Sequence, residues 1–86
     1  MAEKAIAAYL RGDFETAQRL YWQAYQLDGT RGEWAYGAAR GSHKLGRFEE
    51  AATRYRRFLQ APGAAVNKVK LARKHLAEVN DERVKD

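Results

Sequence analysis

The chain has no cysteine and a single proline in 86 residues, and isoleucine, valine and threonine are sparse. Without thiols, neither a disulfide framework nor a thiolate metal site is available, and a reducing or an oxidising compartment fits equally well. The shortage of β-branched residues beside abundant Ala, Leu, Glu, Lys and Arg excludes a sheet-built core and points to an all-α fold. No stretch approaches the roughly 18 consecutive apolar residues of a membrane span, and no basic segment with a following apolar run begins at Met1. A chain this short buries only about 60–65% of its unfolded surface. It reads as one small domain without room for a deep catalytic cavity.

Sixteen Lys and Arg stand against eleven Asp and Glu, a formal charge of +5. That balance favours acidic partners without choosing among peptide, nucleic acid and membrane surface. No catalytic residue, cofactor or metal ligand is expected. His43 and His75 lie far from any H-x-x-x-H or H-E-x-x-H spacing and read as solvated helix histidines. No serine has a nucleophile signature, and no glycine-rich loop leads into a Lys-Ser/Thr. Glu15, Glu33, Glu49 and Glu50 fall in first turns of expected helices, where the helix dipole accounts for them. The chain reads as non-enzymatic.

What it does contain is a repeat. Gly12-Asp13-Phe14-Glu15-Thr16-Ala17 returns as Gly46-Arg47-Phe48-Glu49-Glu50-Ala51, an offset of 34 residues that also superposes Tyr21 on Tyr55, Gln26 on Gln60 and Gly29 on Gly63. A fixed period of that length indicates stacked helical hairpins. Five helices follow from pattern and punctuation. The first covers residues 2–11 and ends at Gly12, suited to a left-handed backbone, and Asp13 caps the second, Phe14 to Leu27. Ala17, Leu20, Tyr21, Ala24 and Leu27 give the second helix its apolar face, widened by Trp22 and Tyr25.

Thr30 and Glu33 have capping-box spacing, so a third helix starts near Arg31, carries Trp34, Ala35, Ala38 and Leu45, and ends at Gly46. Gly37 and Gly41 inside it imply close packing. A fourth helix, Phe48 to Gln60, turns Ala51, Tyr55, Phe58 and Leu59 inward and Arg54, Arg56 and Arg57 outward, and Ala61-Pro62-Gly63 closes it. A fifth, from about Ala64 to Asn80, carries one narrow stripe of Val66, Val69, Ala72, Leu76 and Val79. A frayed polar tail, residues 81–86, is expected after it.

The period and the turns resemble the tetratricopeptide repeat, a 34-residue helix–turn–helix. Gly12, Asp13, Phe14, Ala17, Tyr21 and Ala24 match the second half of its motif, and Gly46, Phe48, Ala51 and Tyr55 match it again. The large signature residues of its first helix are replaced by small ones, among them Ala35, Ala38, Ala39 and Ser42. The resemblance implies a right-handed α-solenoid of two hairpins, about 1–31 and 32–65, with 66–80 as a capping helix. It implies further that first helices line a concave groove binding a partner peptide or protein.

By that register the groove takes Ile6, Tyr9 and Leu10, then Glu33, Tyr36, Arg40, His43 and Lys44, and finally Asn67, Lys70 and Lys74. It would be greasy at one end and basic-aromatic at the other, suited to an acidic extended segment. The family's carboxylate-clamp places read Ala2, Ile6, Gly37, Asn67 and Leu71, of which only one is suitably polar, so a chaperone-tail clamp is not expected. Two other readings remain open. Arg54-Tyr55-Arg56-Arg57 offers an electrostatic surface for nucleic acid, and the uncapped first helix, with Ala2, Ala5 and Ile6, offers an end for self-association. Analogy with the family makes the chain a domain of a longer assembly protein of bacterial type.

Overall fold

Gly12 and Gly46 take φ values of 85° and 78°, in the left-handed region that a Cβ disfavours. The same two hydrogen bonds close both turns. Asp13 N–H donates to the Ala8 carbonyl (2.9 Å) and Gly12 N–H to that of Tyr9 (3.0 Å); Arg47 N–H donates to Ser42 (3.0 Å) and Gly46 N–H to His43 (3.1 Å). These are paired Schellman closures. The 34-residue repeat of the sequence is therefore also a repeat of backbone geometry.

The computed structural model describes residues 3–61 and 63–84. Met1, Ala2, Pro62, Lys85 and Asp86 lie outside the described residues, and with them parts of the expected helix closure, free end and tail. The helices are α1 Glu3–Leu10, α2 Phe14–Leu27, α3 Gly32–Lys44, α4 Phe48–Gln60 and α5 Val66–Val84, and no strand occurs among the described residues. Each packs chiefly on its neighbours in chain order, α1 on α2, α2 on α3, α3 on α4 and α4 on α5, in a body of 36 × 28 × 20 Å. No described helix is long and apolar enough to cross a membrane.

Alanine makes the core. Ala5, Ala8, Ala17, Ala35, Ala38, Ala39, Ala51, Ala52 and Ala72 are fully buried, and Tyr55, Phe58 and Val79 are the large side chains buried among them. Small residues let backbones approach, and the glycines of α3 show how closely. A Cβ at Gly37 would stand 2.8 Å from the Tyr21 ring, and one at Gly41 would stand 2.8 Å from the Gln18 Cβ and 3.2 Å from its backbone nitrogen. The close packing expected of these glycines is realised against α2.

Four expectations need correction. Thr30 does not cap α3: its amide and hydroxyl both donate to the Asp28 carboxylate, and Arg31 occupies the cap position without a side-chain bond. Helix α5 continues to Val84, so residues 81–84 are helical where a frayed tail is expected. Leu27 and Val66, assigned to apolar faces, are 76% and 72% exposed, since each sits at a helix end with no neighbour covering it. Arg54 does not point outward.

Arg54 is only 7% exposed. It sits three residues after Ala51 and four before Phe58, both buried, and so shares their face. Its Nη1 donates to Gln18 Oε1 (2.6 Å) and Ser42 Oγ (2.9 Å), Nη2 lies 3.4 Å from Glu50 Oε1, and the guanidinium covers the Trp22 ring at 4.5 Å. The Ser42 hydroxyl donates to Glu50 (2.8 Å), and Gln18 donates to Glu15 (3.0 Å), which pairs with Arg47. One cation thus joins α2, α3 and α4, and no buried side-chain polar atom among the described residues lacks a partner. Arg56 and Arg57 are exposed, as expected.

Candidate functional site

Helices α1, α3 and α5 and the Tyr21 side chain of α2 line two adjoining hollows that share Tyr21, Glu33 and Lys68. The smaller, about 270 Å³, is walled by Tyr9, Tyr21 and Tyr36, with Arg40 and Lys68 as its cations and Glu33 at its edge. Gly37 also lines it, and the Tyr21 ring packs against the backbone there, where a Cβ would stand 2.8 Å away. The larger, about 610 Å³, adds Ile6 and Trp34 and carries charge of both signs, Glu3, Asp28 and Glu33 against Arg31 and Lys68. Arg31 lies 3.9 Å from Asp28, 3.7 Å from Glu33 and 5.5 Å above the Trp34 ring. The greasy end expected near α1 is therefore a mixed, largely charged end.

A ring cluster flanks the smaller hollow. Tyr36 packs against Phe58 (5.2 Å between centroids), Tyr55 (6.0 Å) and His75 (6.5 Å), while Tyr55 stacks on His75 at 5.9 Å and 24°. His43 stands edge-on to Phe48, Tyr55 and His75. Arg40 Nη1 lies 3.3 Å from both the Tyr55 hydroxyl oxygen and His43 Nδ1, and those two groups are 3.1 Å apart. Arg40 is thus engaged with Tyr55 and His43 as well as facing the hollow. Burial pushes the Tyr55 hydroxyl up to about 12 and raises those of Tyr36 and Tyr21. Burial, with the charges of Arg40 and His75, holds the His43 imidazole below its ordinary value.

His75 Nδ1 lies 2.8 Å from Glu78 Oε1, one turn away on α5, and this bond lowers the Glu78 carboxyl. His43, His75 and Glu78 each bring one donor atom within 4.8 Å of the other two. The expectation of two separate, solvated histidines is overturned: both are half-buried, with ring centroids 5.9 Å apart. Their separation along the chain hid this, because α3 supplies one and α5 the others.

No family model, curated protein or solved structure matches the chain. What the site can do follows from its own chemistry.

Of the residues assigned to the groove, Ile6, Tyr9, Glu33, Tyr36 and Arg40 line the hollows. His43 belongs to the adjoining ring cluster. Leu10 is 80% exposed and lines neither hollow, and the exposed Lys44, Asn67, Lys70 and Lys74 do not line them either. The cation that α5 contributes is Lys68, one residue after Asn67. Along α5, Ala72 and Val79 are buried and Val69, His75 and Leu76 half-buried, while Lys68 stays exposed and reaches the hollows by its side chain.

The register does not carry over from α3 to α5 unchanged: the places of Gly37 and Gly41 are taken by Leu71, 44% exposed, and by His75, which packs on Tyr55 of α4. The missed residues are Glu3, Tyr21, Asp28, Arg31, Trp34, Gly37 and Lys68 in the hollows, and His75 and Glu78 in the adjoining cluster. Tyr21 carried a signal: a glycine at position 37, sixteen residues later, admits its ring to the α3 backbone.

Proposed function

We propose that the chain is a two-hairpin, right-handed α-solenoid of tetratricopeptide type with α5 as its cap, and that it is a non-catalytic module binding an extended acidic-apolar peptide segment. The observation that carries this reading is the smaller hollow, three tyrosine rings around two cations. Aromatic faces give rigid contact area and, like Arg, are enriched at interface cores, and Lys68 and Arg40 are placed to pair with carboxylates. Paired Schellman turns 34 residues apart and helix packing in chain order support the solenoid part.

A graded set of fluorescein-labelled decapeptides tests it: one alternating Asp/Glu with Leu/Phe, one with Lys in the acidic places, and a decanucleotide of single-stranded DNA. The acidic-apolar peptide binds saturably by anisotropy, and Lys68→Glu weakens it about tenfold, the effect of a lost charge pair of about 1.4 kcal/mol. Lys74→Glu, outside the hollow, leaves binding unchanged. Lys68 is the better probe than Arg40, whose bonds to Tyr55 and His43 also hold the fold together. If the oligonucleotide binds more tightly with a steep loss between low and moderate salt, or if Lys74→Glu matters as much as Lys68→Glu, the groove reading fails.

A further inference from the structure

The side chains of His43, His75 and Glu78 do not line the peptide-sized hollows, yet they converge from two helices. We propose that they form a site for a borderline divalent transition-metal ion such as Zn²⁺, which fastens α5 to α3. One donor atom of each already lies within 4.8 Å of the others. Ligand bonds of about 2.0–2.2 Å at tetrahedral angles place donors roughly 3.4 Å apart, so closure asks for shifts of about an ångström in half-exposed side chains. Two imidazoles and a carboxylate suit zinc, copper or nickel; calcium and magnesium prefer all-oxygen sets.

The hydrogen bonding around the three residues is compatible with this role. His75 Nδ1 and Glu78 Oε1 are 2.8 Å apart, and the ion takes the place of the proton between them, which passes to solvent. His43 uses Nε2, because Nδ1 faces the Tyr55 hydroxyl at 3.1 Å. In the metal-bound state Nδ1 carries the hydrogen and donates to the Tyr55 oxygen, which also accepts from Arg40 (3.3 Å), and the Arg40 contact to Nδ1, which needs a bare nitrogen, is given up. Tyr55 then orients the ligand, as outer partners of metal-bound histidines commonly do. Burial that keeps His43 neutral works in the same direction. Arg40, Lys44 and Lys74 are the cations around the cluster, with Glu78 the opposing carboxylate. Such surroundings select an ion held by nitrogen donors over a hard cation held by charge alone. Solvent completes the coordination on the exposed Glu78 side.

The inference is independent of peptide binding. The untagged chain of residues 1–86 is titrated with Zn²⁺ by calorimetry and with Co²⁺ by visible absorption, and melting is followed by circular dichroism. One equivalent binds, Co²⁺ gives the intense absorption of a tetrahedral nitrogen-oxygen site, and at a hundredfold excess over Kd the midpoint rises by about 10 °C or more. His75→Asn and Glu78→Gln each weaken Zn²⁺ about tenfold or more, and Lys74→Gln does not. Saturable binding that survives both substitutions, or no saturation by millimolar metal, overturns the proposal. Glu78 is exposed, so its variant folds and decides the matter even if a histidine variant does not.

Discussion

Three arginines in four residues look alike in the sequence, and the structure separates them by burial, which makes Arg54 the sharpest test of the fold. Replacing Arg54 with alanine removes two charge-assisted bonds, to Gln18 and Ser42, along with the cover over Trp22. Bonds to charged groups typically contribute about 1.5–3 kcal/mol each and a desolvated cation–π contact about 0.5–2. These do not add fully, because Ser42 and Gln18 keep Glu50 and Glu15 as second partners. The Glu50 side chain is 39% exposed, so the ion pair itself is screened and contributes little.

The expected loss for Arg54→Ala is about 3 kcal/mol, against about 0.5 or less for Arg56→Ala on the exposed side. A chain of 86 residues has about 4–13 kcal/mol in total, so the first variant is a large fraction of the whole. Urea unfolding followed at 222 nm reads the difference. With a slope near 1 kcal/mol per molar, the Arg54→Ala midpoint falls by about 3 M or the cooperative transition disappears, while Arg56→Ala stays within about 0.5 M of the parent. Arg54→Met, which keeps the stem over Trp22, falls between them. Coincident midpoints for Arg54→Ala and Arg56→Ala would refute the buried hub and the packing of α4 that places it.

Gly41→Ala gains about 1 kcal/mol of helix propensity and loses about 1–3 to overpacking against the Gln18 backbone, for a net destabilisation of about 1 kcal/mol by urea titration. Gly37→Ala, pressing on a tyrosine ring instead of backbone, loses less. His43 has a folded value below its unfolded value of about 6.5, so the unfolded chain binds more protons and stability falls as pH drops through that window. Stability is full above it, and His43→Gln flattens the slope between pH 7 and 5; the carboxylates held low, Asp13, Asp28 and Glu78, act only at more acid pH. In alkaline titration read at 295 nm, Tyr55 ionises last of the tyrosines, at about 12, and Tyr55→Phe deletes that step.

The all-helical fold was legible because its signals are local. Gly12 and Gly46 are needed for backbone conformations that other residues resist, and Asp13 accepts from the Thr16 amide three residues away. Each of these can be read from a short window. Thr30 shows the limit even there, because Asp28 is also within reach of its amide and hydroxyl, and the Asx turn took them before the capping box formed. Arg54 was misread for a different reason. Charge suggested solvent, whereas the helical position beside Ala51 and Phe58 pointed inward, and a buried guanidinium is stable once Gln18, Ser42 and Glu50 surround it.

The site residues divide along the same line. Of those assigned on α1 and α3, Tyr9, Glu33, Tyr36 and Arg40 line the smaller hollow, whereas Leu10 and Lys44 do not. Those on α5 do not, because a register copies angles only if the contact surface is copied too. Helix α3 meets α2 through Gly37 and Gly41, with Tyr21 and Gln18 pressed against bare backbone. Helix α5 carries Leu71 and His75 at those places, and the His75 ring stacks on Tyr55 with centroids 5.9 Å apart. His75 at the second glycine's place brings an imidazole within reach of His43, where a faithful repeat would have had no donor atom at all, and the hollow takes its α5 cation from Lys68, one residue beyond the place the register gives.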